Sequence, residues 1–158
     1  MLKLIIVRHA KTNQISKSGS DYDRSLLPRG IAQANDLKKH FENTDFGIAE
    51  IHVSSAKRTQ ETFKLIEHAF KNVPIHSWEN LYLASSGEIL ELICQLNHTK
   101  NILLIGHNFG ISDLVNYLCD SDIILATGEL IELTFELDSW NELSKSTGVI
   151  ARRYRSAV

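Results

Sequence analysis

The sequence predicts an α/β fold, a three-layer α/β/α sandwich in which helices cover both faces of a mixed, mostly parallel sheet. Two observations predict it. Short apolar runs rich in β-branched residues alternate with longer segments in which apolar residues recur at helical spacing. Towards the end of the chain the apolar period becomes two, which is typical of an antiparallel strand. A length of 158 residues suits one domain that spans residues 1–158.

Five segments predict the strands of the sheet. Residues 2–7 and 102–105 are almost continuously apolar, as expected for strands buried on both faces. Ile51 and Val53 mark a shorter strand that ends at the pair of serines Ser54-Ser55. Residues 131–137 alternate apolar with acidic or hydroxyl side chains and predict a half-exposed antiparallel strand. Residues 149–154 predict the last strand.

Four amphipathic helices are predicted between these strands, and residues typical of helix starts mark the beginning of three of them. Pro28 marks the start of the first. Ser55 is the predicted N-cap of the second helix, and Ser85 or Ser86 that of the third, with Glu88 in its first turn. The predicted inner faces are Ile31, Ala34, Leu37 and Phe41; Phe63, Ile66 and Phe70; Ile89, Leu92, Ile93 and Leu96; and Ile111, Leu114, Val115 and Leu118.

The composition excludes several classes of protein. With 2 Pro and 8 Gly the chain is neither collagen-like nor of low complexity. The formal net charge of −2 gives no bulk attraction for nucleic acid or for an anionic membrane, and neither is an expected partner. The opening apolar run is too short for a signal peptide, and no stretch approaches the ~20 apolar residues of a membrane span. Cys94 and Cys119 are interpreted as buried free thiols, so we expect a reducing compartment, most simply the cytoplasm.

Polar clusters follow three of the predicted strands at one edge of the sheet. Because ligands of open α/β sheets bind beyond the carboxyl ends of the strands, we expect these clusters to converge. Arg58 stands in a first helical turn, where its charge opposes the helix dipole, and an anion ligand explains it better than solvent does. The three clusters are Arg8-His9, residues 54–59 and Gly106-His107-Asn108.

These clusters resemble three signatures of the histidine phosphatase superfamily, in the branch that includes phosphoglycerate mutases. The short length and several further segments are most similar to the small phosphohistidine phosphatase group typified by SixA. The resemblance implies a phosphoglycerate mutase-like fold and a phosphatase that works through a covalent phosphohistidine. The residues that carry it are Arg8-His9, Ser54-Ser55, Arg58-Thr59 with Thr62, Asp23-Arg24 with Leu26 and Gly30, Leu81-Tyr82, Gly106-His107-Asn108 and Thr127-Gly128.

The residue types of these clusters suit phosphoryl transfer, which is mostly a problem of positioning and charge stabilisation. A neutral imidazole at His9 can attack phosphorus, and the neighbouring arginines disfavour its protonation. Arg8 and Arg58 supply planar donors that stay charged, and His107 can add a third donor if it is protonated. The resemblance implies the same four roles. The further predicted substrate-binding side chains are Thr12, Ser54 and Asn108.

The general acid is where the sequence departs from the mutase-like pattern. By that resemblance Leu83 takes the acid position, and leucine has no proton to donate. Glu88, Asp21 and Asp23 are the possible substitutes. A site without a dedicated acid favours a good leaving group such as the imidazole of phosphohistidine, because an alkoxide gains typically 10²–10⁴-fold from an acid.

No metal or other cofactor is expected, since the seven histidines show no metal-ligand spacing. The leading interpretation is a metal-independent phosphatase whose substrate is a phosphorylated protein. One alternative keeps the site and moves the substrate to a small phosphorylated metabolite, such as a phosphate ester or sugar phosphate. Another is a regulatory module that recognises phosphate without turnover.

Overall fold

The apolar runs of the sequence form a six-stranded mixed sheet in the computed structural model, which describes all 158 residues. The strand order is β3-β2-β4-β1-β5-β6, with the first four parallel to one another and the last two antiparallel to their neighbours. The strands are β1 (Leu2–Arg8), β2 (Ile48–Ser54), β3 (Ile75–Trp78), β4 (Asn101–Gly106), β5 (Leu130–Phe135) and β6 (Gly148–Tyr154).

Four helices cover the two faces of this sheet, so the predicted three-layer α/β/α architecture is confirmed. Successive residues of β1 show the alternation. Ile5 packs with the apolar residues of the first two helices, whereas Ile6 packs with those of the last two. No helix combines the length and the apolarity needed to cross a bilayer. The helices are α1 (Pro28–Asn43), α2 (Lys57–Ile66), α3 (Ser86–Cys94) and α4 (Gly110–Cys119).

Only the first turn of α1 differs from the prediction, because the helix starts against the loop that follows β1; Ala34, Leu37 and Phe41 are buried as predicted. A Cβ at Gly30 would lie only 2.0 Å from the Lys11 carbonyl oxygen, and Gln33 Oε1 accepts a hydrogen bond from the Lys11 amide. Ile31 therefore points outward and is 43% exposed, which corrects its predicted place in the core.

Two further local expectations are wrong. Ala56, not Ser55, is the N-cap of α2, because the Ser55 hydroxyl is instead the acceptor for Tyr22 Oη at 2.7 Å. That helix ends at Ile66, so Phe70 lies beyond it. The capping box predicted for α3 is present, with Ser85 and Glu88 exchanging hydrogen bonds.

The antiparallel strand β5 is not half-exposed as its alternation predicts. It lies between β1 and β6, and its Glu132 is buried with only 5% of its surface accessible. The carboxylate lies 3.7 Å from Lys3 Nζ, which compensates part of the cost of burying it.

Candidate active site

The polar clusters after β1, β2 and β4 meet at one edge of the sheet because these three parallel strands are neighbours. Arg8 is paired with Gly106 in the β1–β4 register, and the His9 amide donates to the Gly106 carbonyl at 3.2 Å. Ser54 ends β2 on the other side of β4. The convergence that the sequence predicts at the carboxyl ends of the strands is what the register produces.

The His9 ring is held in one tautomer at the centre of this edge. Its Nδ1–H donates to the Ala10 carbonyl at 2.8 Å, which leaves Nε2 with a free lone pair. Burial lowers the pKa of the imidazole to about 3, and the charges of Arg58 and Arg8 act in the same direction. His9 is therefore a neutral imidazole at any working pH.

His107 lies beside His9, with 5.5 Å between the ring centroids. Its Nε2 shares a 2.7 Å hydrogen bond with the Ser54 hydroxyl, which is completely buried. Burial, followed by the charge of Arg58, lowers the pKa of His107 to about 3. Its Nδ1 is buried without a partner in the protein.

Arg8 and Arg58 bring two guanidinium groups to the same place. Arg8 Nη1 donates to the Leu125 carbonyl at 3.0 Å, which anchors one end of its fork. Arg58 is only 2% exposed. The Nε–H groups of both arginines are buried and have no acceptor within the protein. Buried donors without acceptors are costly, and the oxygens of a tetrahedral oxyanion would satisfy them.

Asp21 occupies the Arg58 fork. Arg58 Nη1 donates to the Asp21 backbone carbonyl at 2.8 Å, and Nη2 donates to Asp21 Oδ2 at 3.1 Å. The same Oδ2 accepts the hydroxyl hydrogen of Tyr82. That hydrogen bond and the charge of Arg58 lower the pKa of Asp21, so the carboxylate is ionised and lacks the proton that an acid must donate.

The other two predicted acid substitutes make different contacts. Asp23 accepts a 2.6 Å hydrogen bond from Ser18, within the loop between β1 and α1. Glu88 accepts from the Ser85 amide at 3.2 Å as part of the α3 capping box. Leu83, which the resemblance places at the acid position, is 53% exposed.

Two residues predicted to bind substrate make scaffold contacts in this structure, Asn108 through its side chain and Thr12 through its backbone. Asn108 donates from Nδ2 to the Leu125 carbonyl at 2.8 Å and accepts at Oδ1 from Ser112 at 2.6 Å, so both ends of its amide are engaged. Thr12 is buried and forms an isolated antiparallel bridge with Leu26. Ser54 contacts the site through His107.

Sequence reasoning missed the part played by Tyr82. Its ring lies 5.6 Å from that of His107 and 5.8 Å from the Arg58 guanidinium carbon, in addition to its hydroxyl contact with Asp21. The Leu81-Tyr82 pair was a signal in the sequence, but its role depends on the fold of the segment after β3.

Residues 4–88 match the family model of the histidine phosphatase superfamily (branch 1), and the chain belongs to this superfamily. The assignment supports a hydrolase of the phosphatase class. Among solved structures, a SixA protein from Nakamurella multipartitia superposes with a TM-score of 0.85 at 19% identity, covering 99% of this chain and 97% of that one.

Two further proteins are similar. The protein histidine phosphatase SixA, solved with tungstate, has a TM-score of 0.81 at 17% identity, covering 98% of this chain and 97% of its own. A chloroplastic protein of Arabidopsis thaliana is 27% identical over an alignment of 157 positions that covers 92% of this chain and 72% of that protein. At these identities the structural likenesses establish the phosphoglycerate mutase-like fold, which the sequence predicted.

Proposed function

We propose that the protein is a metal-independent phosphatase that removes the phosphoryl group from phosphohistidine side chains of a partner protein, through a covalent phosphoryl group on His9. The observation that carries the proposal is the state of His9. Its ring is neutral, its Nε2 carries a free lone pair, and it lies beside His107 and close to the charges of Arg8 and Arg58.

The reaction has two displacements at phosphorus. In the first, the Nε2 lone pair of His9 forms a bond to phosphorus while the bond from phosphorus to the substrate imidazole breaks. The departing ring keeps the electron pair of that bond and leaves as a neutral imidazole, because its other nitrogen already carries a proton. In the second, water attacks the phosphoryl group of His9, giving orthophosphate and restoring the free ring.

Arg8 and Arg58 stabilise the charge on the equatorial oxygens during both displacements. A phosphoryl group carries close to two negative charges at neutral pH. Their unpaired buried Nε–H groups support this role, because they are donors that nothing in the protein satisfies. His107, buried against Ser54, supplies a further contact beside the attacking nitrogen.

The leaving group supports phosphohistidine rather than an alkyl phosphate. Asp21 is ionised and paired, and leucine stands at the acid position, so these groups offer no proton to an alkoxide. A phosphohistidine ring that is protonated at its other nitrogen leaves as neutral imidazole and needs no proton from these groups.

The mouth of the site supports a protein substrate. Leu83 and Phe109 are 53% and 66% exposed. Their neighbours Ala84 and Gly110 touch, since a Cβ at Gly110 would lie 1.9 Å from the Ala84 carbonyl oxygen. The two segments therefore meet close to His107, and each brings an exposed apolar residue there, which supports contact with a macromolecule.

The test compares hydrolysis of a phosphohistidine peptide with that of p-nitrophenyl phosphate and a sugar phosphate, with and without a chelator. We expect the peptide to have the highest kcat/KM, no effect of the chelator, and loss of turnover in His9→Ala. His68→Ala is the matched control, because His68 is exposed and lies outside the site.

Several results would contradict the proposal. Preference for the sugar phosphate would move the substrate to a small metabolite. Loss of activity with the chelator would introduce a metal, and binding of phosphate with no turnover of any substrate would leave a recognition module.

Residues 1–158 are further proposed to form one domain, supported by a sheet that draws strands from Leu2 to Tyr154. The free thiols of Cys94 and Cys119 support action in a reducing compartment such as the cytoplasm.

A further inference from the structure

The guanidinium of Arg58 already holds an anion that belongs to the chain itself. Both terminal nitrogens donate to Asp21, one to its backbone carbonyl and the other to carboxylate Oδ2. The second partner of Oδ2 is the Tyr82 hydroxyl. A phosphoryl group that binds through the unpaired Nε–H of Arg58 would bring an oxygen to the neighbouring Nη2, where it would compete with the Asp21 carboxylate.

We propose that Asp21 is an internal competitor of the phosphoryl group: its carboxylate holds Arg58 Nη2 between turnovers, leaves when a phosphoryl oxygen binds, and returns to help expel orthophosphate. This inference rests on the proposed function, in which Arg58 binds the phosphoryl group. It makes Asp21 a positioning residue that sets the affinity of the site for substrate and product.

The two partners differ in their freedom to move. The Arg58 side chain is 2% exposed, whereas that of Asp21 is 47% exposed and stands on a single 3-10 turn in the loop between β1 and α1. Only the contact at Nη2 has to exchange, because Nη1 is bound to the Asp21 backbone. A change of the Asp21 side-chain rotamer is therefore enough to free Arg58 Nη2.

The displaced carboxylate keeps a partner. Arg24 Nε lies 3.2 Å from Asp21 Oδ1, and both residues belong to the same short segment of chain. Asp21 thus moves from two cations to one. Its contacts with Tyr82 and Arg58 lower the pKa of the carboxyl, so the competitor is charged throughout the neutral range.

Charge decides the direction of the exchange. A carboxylate brings one negative charge to Arg8 and Arg58, while a phosphoryl group brings close to two. The phosphoryl group therefore displaces Asp21, but binds more weakly than it would to an unoccupied fork.

The test measures binding of tungstate and perrhenate by titration calorimetry at mildly alkaline pH. The two oxyanions are both tetrahedral and of similar size, and they differ by one charge. The variants are Asp21→Asn and the control Asp23→Asn. Asp23 carries the same charge in the same turn and hydrogen-bonds to Ser18 rather than Arg58.

If the bound anion displaces the Asp21 carboxylate, Asp21→Asn binds both anions about tenfold more tightly than the wild type. The factor is the same for tungstate and perrhenate, because the same competitor is lost for each. Asp23→Asn stays within about twofold of the wild type. In steady-state kinetics, KM and the inhibition constant of orthophosphate fall by that same factor in Asp21→Asn.

Each other outcome overturns the inference. A gain much larger for tungstate than for perrhenate means that Asp21 stays beside the bound anion and repels it. Weaker or unchanged binding means that Asp21 only orients Arg58. Failure of the wild-type protein to bind either anion rejects the proposed function as well, since Arg58 then lies in no anion site.

Discussion

Acidification destabilises the fold through His9 and His107, the two imidazoles at the centre of the site. Both are nearly inaccessible, 4% and 3% exposed, and both have a pKa of about 3 in the folded protein. In the unfolded chain the pKa of a histidine is about 6.5. The unfolded state therefore binds more protons between these values, and stability falls as the pH drops through this window.

The size of the loss follows from the shift. At about pH 5 the pH lies about 1.5 units below the pKa of a histidine in the unfolded chain. At ~1.36 kcal/mol per unit, protonation stabilises the unfolded chain by about 2 kcal/mol for each histidine. Nothing is lost above about pH 7, because the ring is neutral in both states. Stability is thus greatest near and above neutrality.

Urea unfolding of the wild type and of His107→Asn, at about pH 7.5 and about pH 5, measures the contribution of the His107 ring to the pH dependence of stability. Between these two pH values the wild type loses about 2 kcal/mol more of its free energy of unfolding than the variant does, because the variant lacks the His107 ring. The control His68→Ala, which alters an exposed histidine, follows the wild type. Equal pH dependence of the wild type and His107→Asn would refute a buried neutral ring at this position.

Three other predictions concern activity and the scaffold. Because His9 stays neutral down to about pH 3, the acid limb of kcat/KM follows the substrate phosphoryl pKa and moves when the substrate is changed. Glu129→Gln lowers stability by about 2 kcal/mol in urea unfolding and also lowers kcat/KM, because this buried carboxylate fixes the loop that anchors Arg8. Gly30→Ala costs about 1–3 kcal/mol by the same assay, since its Cβ would overlap the Lys11 carbonyl.

The outcomes against these three predictions are distinct. An acid limb near pH 6.5 for every substrate would assign a titrating histidine to the free enzyme. A Glu129→Gln protein with normal kcat/KM would separate the loop from the site. Wild-type stability of Gly30→Ala would contradict the close approach of α1 to the loop, for which the exposed Ile31→Ala is a neutral control.

Local chemistry made much of the fold predictable. The capping box of Ser85 and Glu88 needs only residues three apart, and it forms as predicted. The almost continuously apolar runs at residues 2–7 and 102–105 become the two central parallel strands, which are covered on both faces.

The local predictions that were wrong concern residues that make contacts distant in sequence. Ser55 has the chemistry of an N-cap, but the hydroxyl of Tyr22, 33 positions away, binds it. Ile31 has the spacing of a core residue, but in the first turn of α1 it is Gly30 that lies against Lys11, and Ile31 is left exposed.

Convergence of the candidate site was predictable from strand order, whereas its loops were not. His9 and His107 follow strands that the apolar pattern identifies, and neighbouring parallel strands must end together. The contact between Asp21 and Arg58 depends on a loop without periodicity that crosses 37 positions of sequence. Nothing in the spacing of these two residues indicates it.

A phosphoryl group bonded to Nε2 of His9 is the species on which every step of the proposed reaction depends. Rapid quenching in alkali, where phosphohistidine survives, followed by peptide mass spectrometry and phosphorus NMR locates it. The predicted result is a phosphorylated His9 peptide with the group on Nε2, present in the wild type and His68→Ala and missing from His9→Ala. Turnover without such a species, or with the phosphoryl group on any other residue, would contradict the mechanism.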